Sequence, residues 1–206
     1  MRYFKKWLVL VIAFLLISPI VGTLGNVYTS SGAAEPKIYV QVDKQHPSDV
    51  QKALDSGLEV IEEYPAYLYG KATKPQFEEM KTNHLLITKL NDPNPVYING
   101  AVIYPANDDT KSFIGVTIPE GFEENYYSDV NEPNYYLVKF AAPVKGEWIN
   151  ELKLNNIELV EYYHQNAYVV RCKPADQGEI LRADYVSAMM PYVPAFKIPP
   201  DMHTED

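Results

Sequence analysis

The chemistry-bearing side chains of this 206-residue chain stand apart from one another. Its four histidines, His46, His84, His164 and His203, show no helical i,i+4 pairing of the kind that holds zinc. Cys172, the single cysteine, lies in a strand-like run with no base beside it in sequence. A thiol or hydroxyl nucleophile needs a positioned base, and no Gly-x-Ser-x-Gly supplies one. Core packing is therefore the expectation for Cys172, and a solvent-facing turn for His164. Asp108-Asp109 and Glu123-Glu124 could meet calcium loosely, but the spacing of a calcium loop is missing, so a solvated acidic loop is expected. No glycine-rich phosphate loop occurs. The residues thus call for no catalytic group, no metal and no cofactor.

Charge narrows the partners. Twenty-seven acids against 18 bases give a net charge of −9. A phosphate-binding face needs clustered Lys and Arg, so a nucleic-acid partner is not expected. The only basic cluster, Arg2, Lys5 and Lys6, precedes an uncharged run from Trp7 to Val21. Basic start, short apolar middle and small residues make residues 1–34 a secretory signal, with cleavage after Gly25 or Ala34. The other reading is an uncleaved N-terminal anchor, which would be the only membrane contact. Tyrosine is abundant, 17 residues, and suits strand faces and binding surfaces.

The elements that would position these residues occur twice. Residues 38–42 (Ile-Tyr-Val-Gln-Val) match 136–140 (Tyr-Leu-Val-Lys-Phe). Residues 58–64 match 157–163, 66–69 match 167–170, and Pro75 matches Pro174, each starting a helical segment. The order is shared and the offset drifts only from 98 to 101. Tyr135–Phe140 alternates as a strand, Lys145–Asn155 places Trp148, Ile149 and Leu152 at helical spacing, and Asn155-Asn156 ends that helix as Gly57 ends its counterpart. Ile157–Tyr163 and Ala167–Lys173 follow as strands, then a helix from Pro174 to about Ala183 and a last strand, Tyr185–Met190. Strand, helix, strand, strand, helix, strand is a split βαβ unit.

The expected class is α+β: two ferredoxin-like (split βαβ) domains of propeptide type, each an antiparallel four-stranded sheet with helices on one face. The first occupies 35–92 and the second 134–198. Between them, 93–133 is a Pro-rich connector with short strands, Val96–Tyr104 and Phe113–Ile118, and an acidic stretch, Glu120–Asp129. Residues 199–206 form a tail. Glu59, Glu62, Glu63, Glu158 and Glu161 are expected on the wet face of the sheets. Pro191, Pro194, Pro199 and Pro200 should hold 191–200 extended.

Tyr135-Tyr136-Leu137-Val138-Lys139-Phe140, Ala142-Pro143-Val144, Trp148, Asn166-Ala167-Tyr168-Val169-Val170-Arg171 and Pro191 to Ile198 form an ordered series. That series resembles the N-terminal pro-region of secreted subtilisin-like serine proteases, well over 134–198 and more weakly over 37–133. The resemblance implies a ferredoxin-like fold that acts as intramolecular chaperone and inhibitor of a subtilisin-like protease. It implies that the tail residues Tyr192, Val193, Pro194, Ala195, Phe196 and Lys197 enter the protease cleft. The three catalytic segments of such a protease, carrying Asp, His and Ser, are missing from the sequence, so the chain is not expected to be an enzyme. Three readings follow: a secreted protein that binds a subtilisin-like protease, a truncated protease N-terminus without an independent role, or a cell-surface interaction module. A Pro-rich linker remains the alternative for the tail.

Overall fold

The computed structural model describes residues 35–99, 101–106, 111–115 and 131–198. The expected export segment 1–34, Asp108-Asp109, the stretch Glu120–Asp129, His203 and the tail 199–206 lie outside the described residues. The chain is α+β with antiparallel sheets. Eight strands and four helices make two similar units. The first runs β1 (Lys37–Asp43), α1 (Asp49–Asp55), β2 (Glu59–Glu63), β3 (Tyr67–Thr73), α2 (Lys74–Thr82) and β4 (Ile87–Lys89). Three further strands follow: β5 (Val96–Ile98), β6 (Ala101–Pro105) and β7 (Phe113–Ile114). The second unit runs β8 (Asn134–Phe140), α3 (Gly146–Leu154), β9 (Glu158–Tyr163), β10 (Ala167–Cys172), α4 (Gln177–Arg182) and β11 (Val186–Pro191). The sheets are ordered β2-β3-β1-β4 and β11-β8-β10-β9, the same arrangement in both units.

Local chemistry places these elements. Thr73 and Gln76 cap α2 reciprocally: the Thr73 hydroxyl accepts from the Gln76 amide, and the Gln76 side chain accepts from the Thr73 amide. Pro75 sits in the first turn, where its missing N–H costs nothing. Gly57 closes α1 at φ 83°, the left-handed conformation that glycine adopts without strain. Gly70 has a different role. A Cβ there would stand 2.4 Å from the Glu59 carbonyl oxygen, so only glycine lets β2 approach so closely.

The two units also share a defect. In β2 the pairing with β3 skips Ile61, and in β9 the pairing with β10 skips Val160. A bulge at the same place in both hairpins is a stronger mark of similarity than alternating residues, because a bulge re-aims the strand at one chosen point. The third strands correct the sequence alignment. Val40 faces Gly70 across one sheet and Val138 faces Tyr168 across the other. Counted from the first strands, the offset is 98, three short of the match between 66–69 and 167–170. A slip of three reverses the faces. Leu68 thus joins the helix-side core of its unit, while Val169 lies on the opposite side of its own sheet.

Neither sheet keeps a wet face, contrary to the expectation for the glutamates. Val40, Val42, Leu68 and Ala72 pack beneath α1 and α2. The other face of that sheet is aromatic: Tyr39 and Tyr69, with Tyr64 from the β2–β3 turn, join one apolar cluster with Phe140 and Trp148 of the second unit. The Tyr64 hydroxyl donates to the Pro143 carbonyl. Lys145 lies 5.1 Å over the Tyr64 ring and 5.6 Å over Trp148, and it pairs with Glu62 at 2.7 Å. The second sheet sets Val138 and Phe140 against α3 and α4, and sets Leu137 and Val169 against the connector. Glu59, Glu62, Glu63, Glu158 and Glu161 ride on the two edge strands instead. Each of them except Glu161 is paired with a base, namely Lys37, Lys145, Lys44 and Arg171 in that order.

Of the expected connector strand Phe113–Ile118, Phe113–Ile114 is strand and 116–118 lie outside the described residues. Val96–Tyr104 is not one strand but a hairpin, with Ile98 opposite Ala101. Asn99-Gly100 is the dipeptide that favours a two-residue turn, and Asn99 has φ 41°. Cys172 is buried and free, and His164 is an exposed turn residue. Burial lifts the Cys172 thiol to about 12, which leaves it inert.

Two tyrosines of the aromatic seam test its polar accounting. The Tyr69 hydroxyl is buried without a partner, whereas Tyr64 is bonded. Tyr64→Phe should lower stability by about 1 kcal/mol, and Tyr69→Phe should leave it unchanged or raise it by up to about 1 kcal/mol. Urea unfolding followed by tryptophan fluorescence measures both.

Candidate functional site

Residues 192–197 do not hang free. After β11 the Tyr192 amide donates to the Tyr135 carbonyl at 2.9 Å, which extends the pairing one residue beyond the strand. Val193 is extended, and Pro194–Lys197 then forms a turn of 3-10 helix. Pro194 starts that turn for the same reason Pro75 starts α2. The Phe196 amide donates to the Val193 carbonyl at 3.0 Å. The Phe196 carbonyl accepts from the Asn99 side-chain amide and from the Tyr192 hydroxyl. Tyr192 and Tyr163 hydroxyls lie 2.9 Å apart. Burial pushes the Tyr192 hydroxyl well above the ordinary tyrosine range, and the Tyr163 hydroxyl adds to it.

The expected extended tail is therefore corrected. Tyr192, Val193, Ala195 and Phe196 are all buried, Phe196 being 3% exposed. They cover the face of the second sheet opposite its helices, beside Val96, Ile98 and Ile103. The physical reason is area. An apolar sheet face left open by the helices needs a lid, and full burial of one phenylalanine contributes about 2 kcal/mol. Proline stiffness steers the chain but cannot outweigh that gain. Of the six tail residues, only Lys197 is exposed. Its ammonium sits 5.2 Å from the Tyr135 ring and 5.8 Å from the Tyr192 ring, a cation–π arrangement.

Lys197 forms one wall of a groove of about 430 Å³. Asn99, Tyr135, Val160, Glu161 and Tyr163 also line it. The floor is aromatic, with one cation and one carboxylate at the rim. No nucleophile stands beside a base in this groove, and among the described residues no group of His, Cys, Asp and Glu could hold a metal.

Beside the groove lies β9, the outer strand of its sheet. Val160 is 49% exposed and Tyr162 52%. The other outer strands are guarded. β2 carries Glu59, Glu62 and Glu63 in ion pairs. β11 is met by the Lys111 carbonyl, which accepts from the Met189 amide at 2.8 Å. β4 has three residues. Charged, short or covered edges are how proteins avoid unwanted pairing; among the described residues β9 carries one ion-paired acid, Glu158 with Arg171, where β2 carries three. Sequence reading placed Ile157–Tyr163 as a strand but did not single out Val160, Tyr162 or Asn99. Position in the sheet is set by long-range pairing, which no local pattern shows. One signal was present: Tyr136, Leu137 and Val138 are consecutively apolar, as in a strand buried on both faces.

A family model described as a domain of unknown function, DUF8729, matches residues 97–193. No curated protein matches the chain. Among solved structures, the acetolactate synthase small subunit from Thermotoga maritima is similar at 9% identity, over 75% of this chain and 92% of that one, with a TM-score of 0.22. That score is too low to carry an argument about fold or activity. The matched span 97–193 opens in β5, includes β6 and ends at Val193, so it covers the second unit together with most of its lid.

A buried tail has a measurable signature. Phe196→Ala should destabilise the protein by about 3 kcal/mol, read as a lower urea midpoint. An unattached tail would give no change.

Proposed function

We propose that this chain is an exported, non-enzymatic binding protein of the propeptide type, built from two ferredoxin-like units over 35–92 and 134–198 that are joined through 93–133. Its partner is a subtilisin-like serine protease, which it inhibits or helps to fold. An extended segment of the protease adds to the open side of β9, and the groove beside β9 takes the adjoining side chains. Strand addition draws affinity from backbone hydrogen bonds and specificity from flanking pockets. In this reading Lys197 and Tyr192 are groove walls. They are not a peptide inserted into the enzyme.

The supporting observation is the exposure of Val160 and Tyr162 on an outer strand whose one ion-paired acid among the described residues is Glu158. Both sheet faces are occupied within the chain, which leaves an edge as the natural docking element. The resemblance of 134–198 to protease pro-regions supplies the partner class. The charge of −9 suits a neutral or basic partner surface.

Residual protease activity against added full-length protein provides the test. Micromolar protein should inhibit a subtilisin-like protease, and Val160→Lys with Tyr162→Lys should weaken inhibition at least tenfold, about 1.4 kcal/mol, without lowering stability. If the protein neither inhibits the enzyme nor rescues its refolding, the partner is wrong. If the double variant inhibits as well as the parent, the edge is wrong.

A further inference from the structure

Lys139 is out of place in an apolar core. It occupies the middle of β8 and is 2% exposed. Its ammonium donates to the Gln165 carbonyl in the β9–β10 turn. None of the ion pairs among the described residues includes it. Burial of an ammonium without a carboxylate partner is costly, and here it pulls the Lys139 pKa down to about 8, with Asp92 acting in the opposite direction.

Lys139 contributes to the wall of a cavity of about 240 Å³ where the first sheet, the connector and the second sheet meet. Lys71 stands on the opposite side, from the first sheet. Its ammonium lies 4.8 Å from the Tyr39 ring, and no ion pair among the described residues includes Lys71 either. Tyr39 is fixed by donating its hydroxyl to Asn94 Oδ1 at 3.0 Å. Ile61, Phe140 and Pro105 make the rest of the lining largely apolar. The carboxylates that act on these two cations, Asp92 on Lys139 and Glu59 on Lys71, form no ion pair with them among the described residues, so a carboxylate with a short hydrocarbon body would complete the site. The ligand anion would supply the direct charge contact that Asp92 and Glu59 do not make, and its body would fill the space against Ile61 and Phe140.

We infer that this junction cavity binds a small organic monocarboxylate, held by Lys139 and Lys71. The site lies away from the β9 groove and does not depend on protease binding. Isobutyrate and isovalerate, with their amides as neutral isosteres, are suitable probes for the full-length protein. At pH 7 the acids should raise the thermal midpoint in a saturable way, as any ligand of the native state does, and the amides should not. Lys139→Met should weaken the effect at least tenfold while leaving the protein folded, since it removes an unpaired buried charge and keeps the chain length. Lys71→Met, a variant of a half-buried residue, should act in the same direction. Affinity should fall about tenfold from pH 7 to pH 9 as Lys139 loses its proton. Equal stabilisation by acids and amides would overturn the inference, because it would show apolar filling alone. So would undiminished effects in both variants, or no shift with any of the four compounds.

Discussion

Tyr39, Tyr64 and Tyr69 leave the open side of the first sheet and enter the apolar cluster that holds Phe140 and Trp148 of the second unit. The other features of the fold follow from that burial. A split βαβ unit of some 55 to 60 residues has a small core and is marginal alone. Here the first unit has eight buried apolar residues beneath its helices. Its second face gains a partner only where the other unit supplies one. Lys145 fastens the seam from the polar side, over two aromatic rings and against Glu62. The Glu62 carboxylate holds the Lys145 pKa above its ordinary value. Stability from that pair is thus fully present below the normal lysine range and is lost only as pH rises through the elevated value.

The same requirement for cover shapes the second unit. Its sheet has apolar side chains on both sides, so helices alone cannot complete it. The β5–β6 hairpin and the turn Pro194–Lys197 close the remaining side. The lid and the sheet share one apolar cluster, although almost 30 residues separate β6 from β8. That cluster explains why residues 192–197 pack against the sheet instead of extending away from it. In the proposed function a partner adds at the β9 edge, and the proposed ligand enters the junction lined by Lys139.

Much of the element order was legible. Alternation in Tyr135–Phe140, helical spacing at Trp148 and Leu152, the turn residues Gly57 and Asn155-Asn156, and Pro75 and Pro174 all act within a few residues, and local rules capture them. The features that sequence reading missed are long-range. Which strand lies outermost, which face of Val169 is covered, and whether Phe196 finds a surface are decided by tertiary pairing and packing, Asn99 lying 97 residues from the Phe196 carbonyl it bonds. The glutamates illustrate the limit. Their alternation correctly marked strands but could not tell a wet face from an edge. Asn99-Gly100 is the exception, a local signal present in the sequence and overlooked inside an apolar run. Lys139 carried no warning, because a lysine in an alternating strand reads as an outward-facing residue until both sides of the sheet are seen to be covered.

Hydrogen exchange under mild denaturant, resolved by segment, addresses the seam most directly. If the two units are locked through the shared aromatic cluster, amides around Val40–Val42 and around Val138–Phe140 will open with the same free energy and the same denaturant dependence, as one cooperative unit. Opening of the first unit at a clearly lower free energy, with the second still protected, would show that the tyrosine face is only a loose contact and would contradict the account.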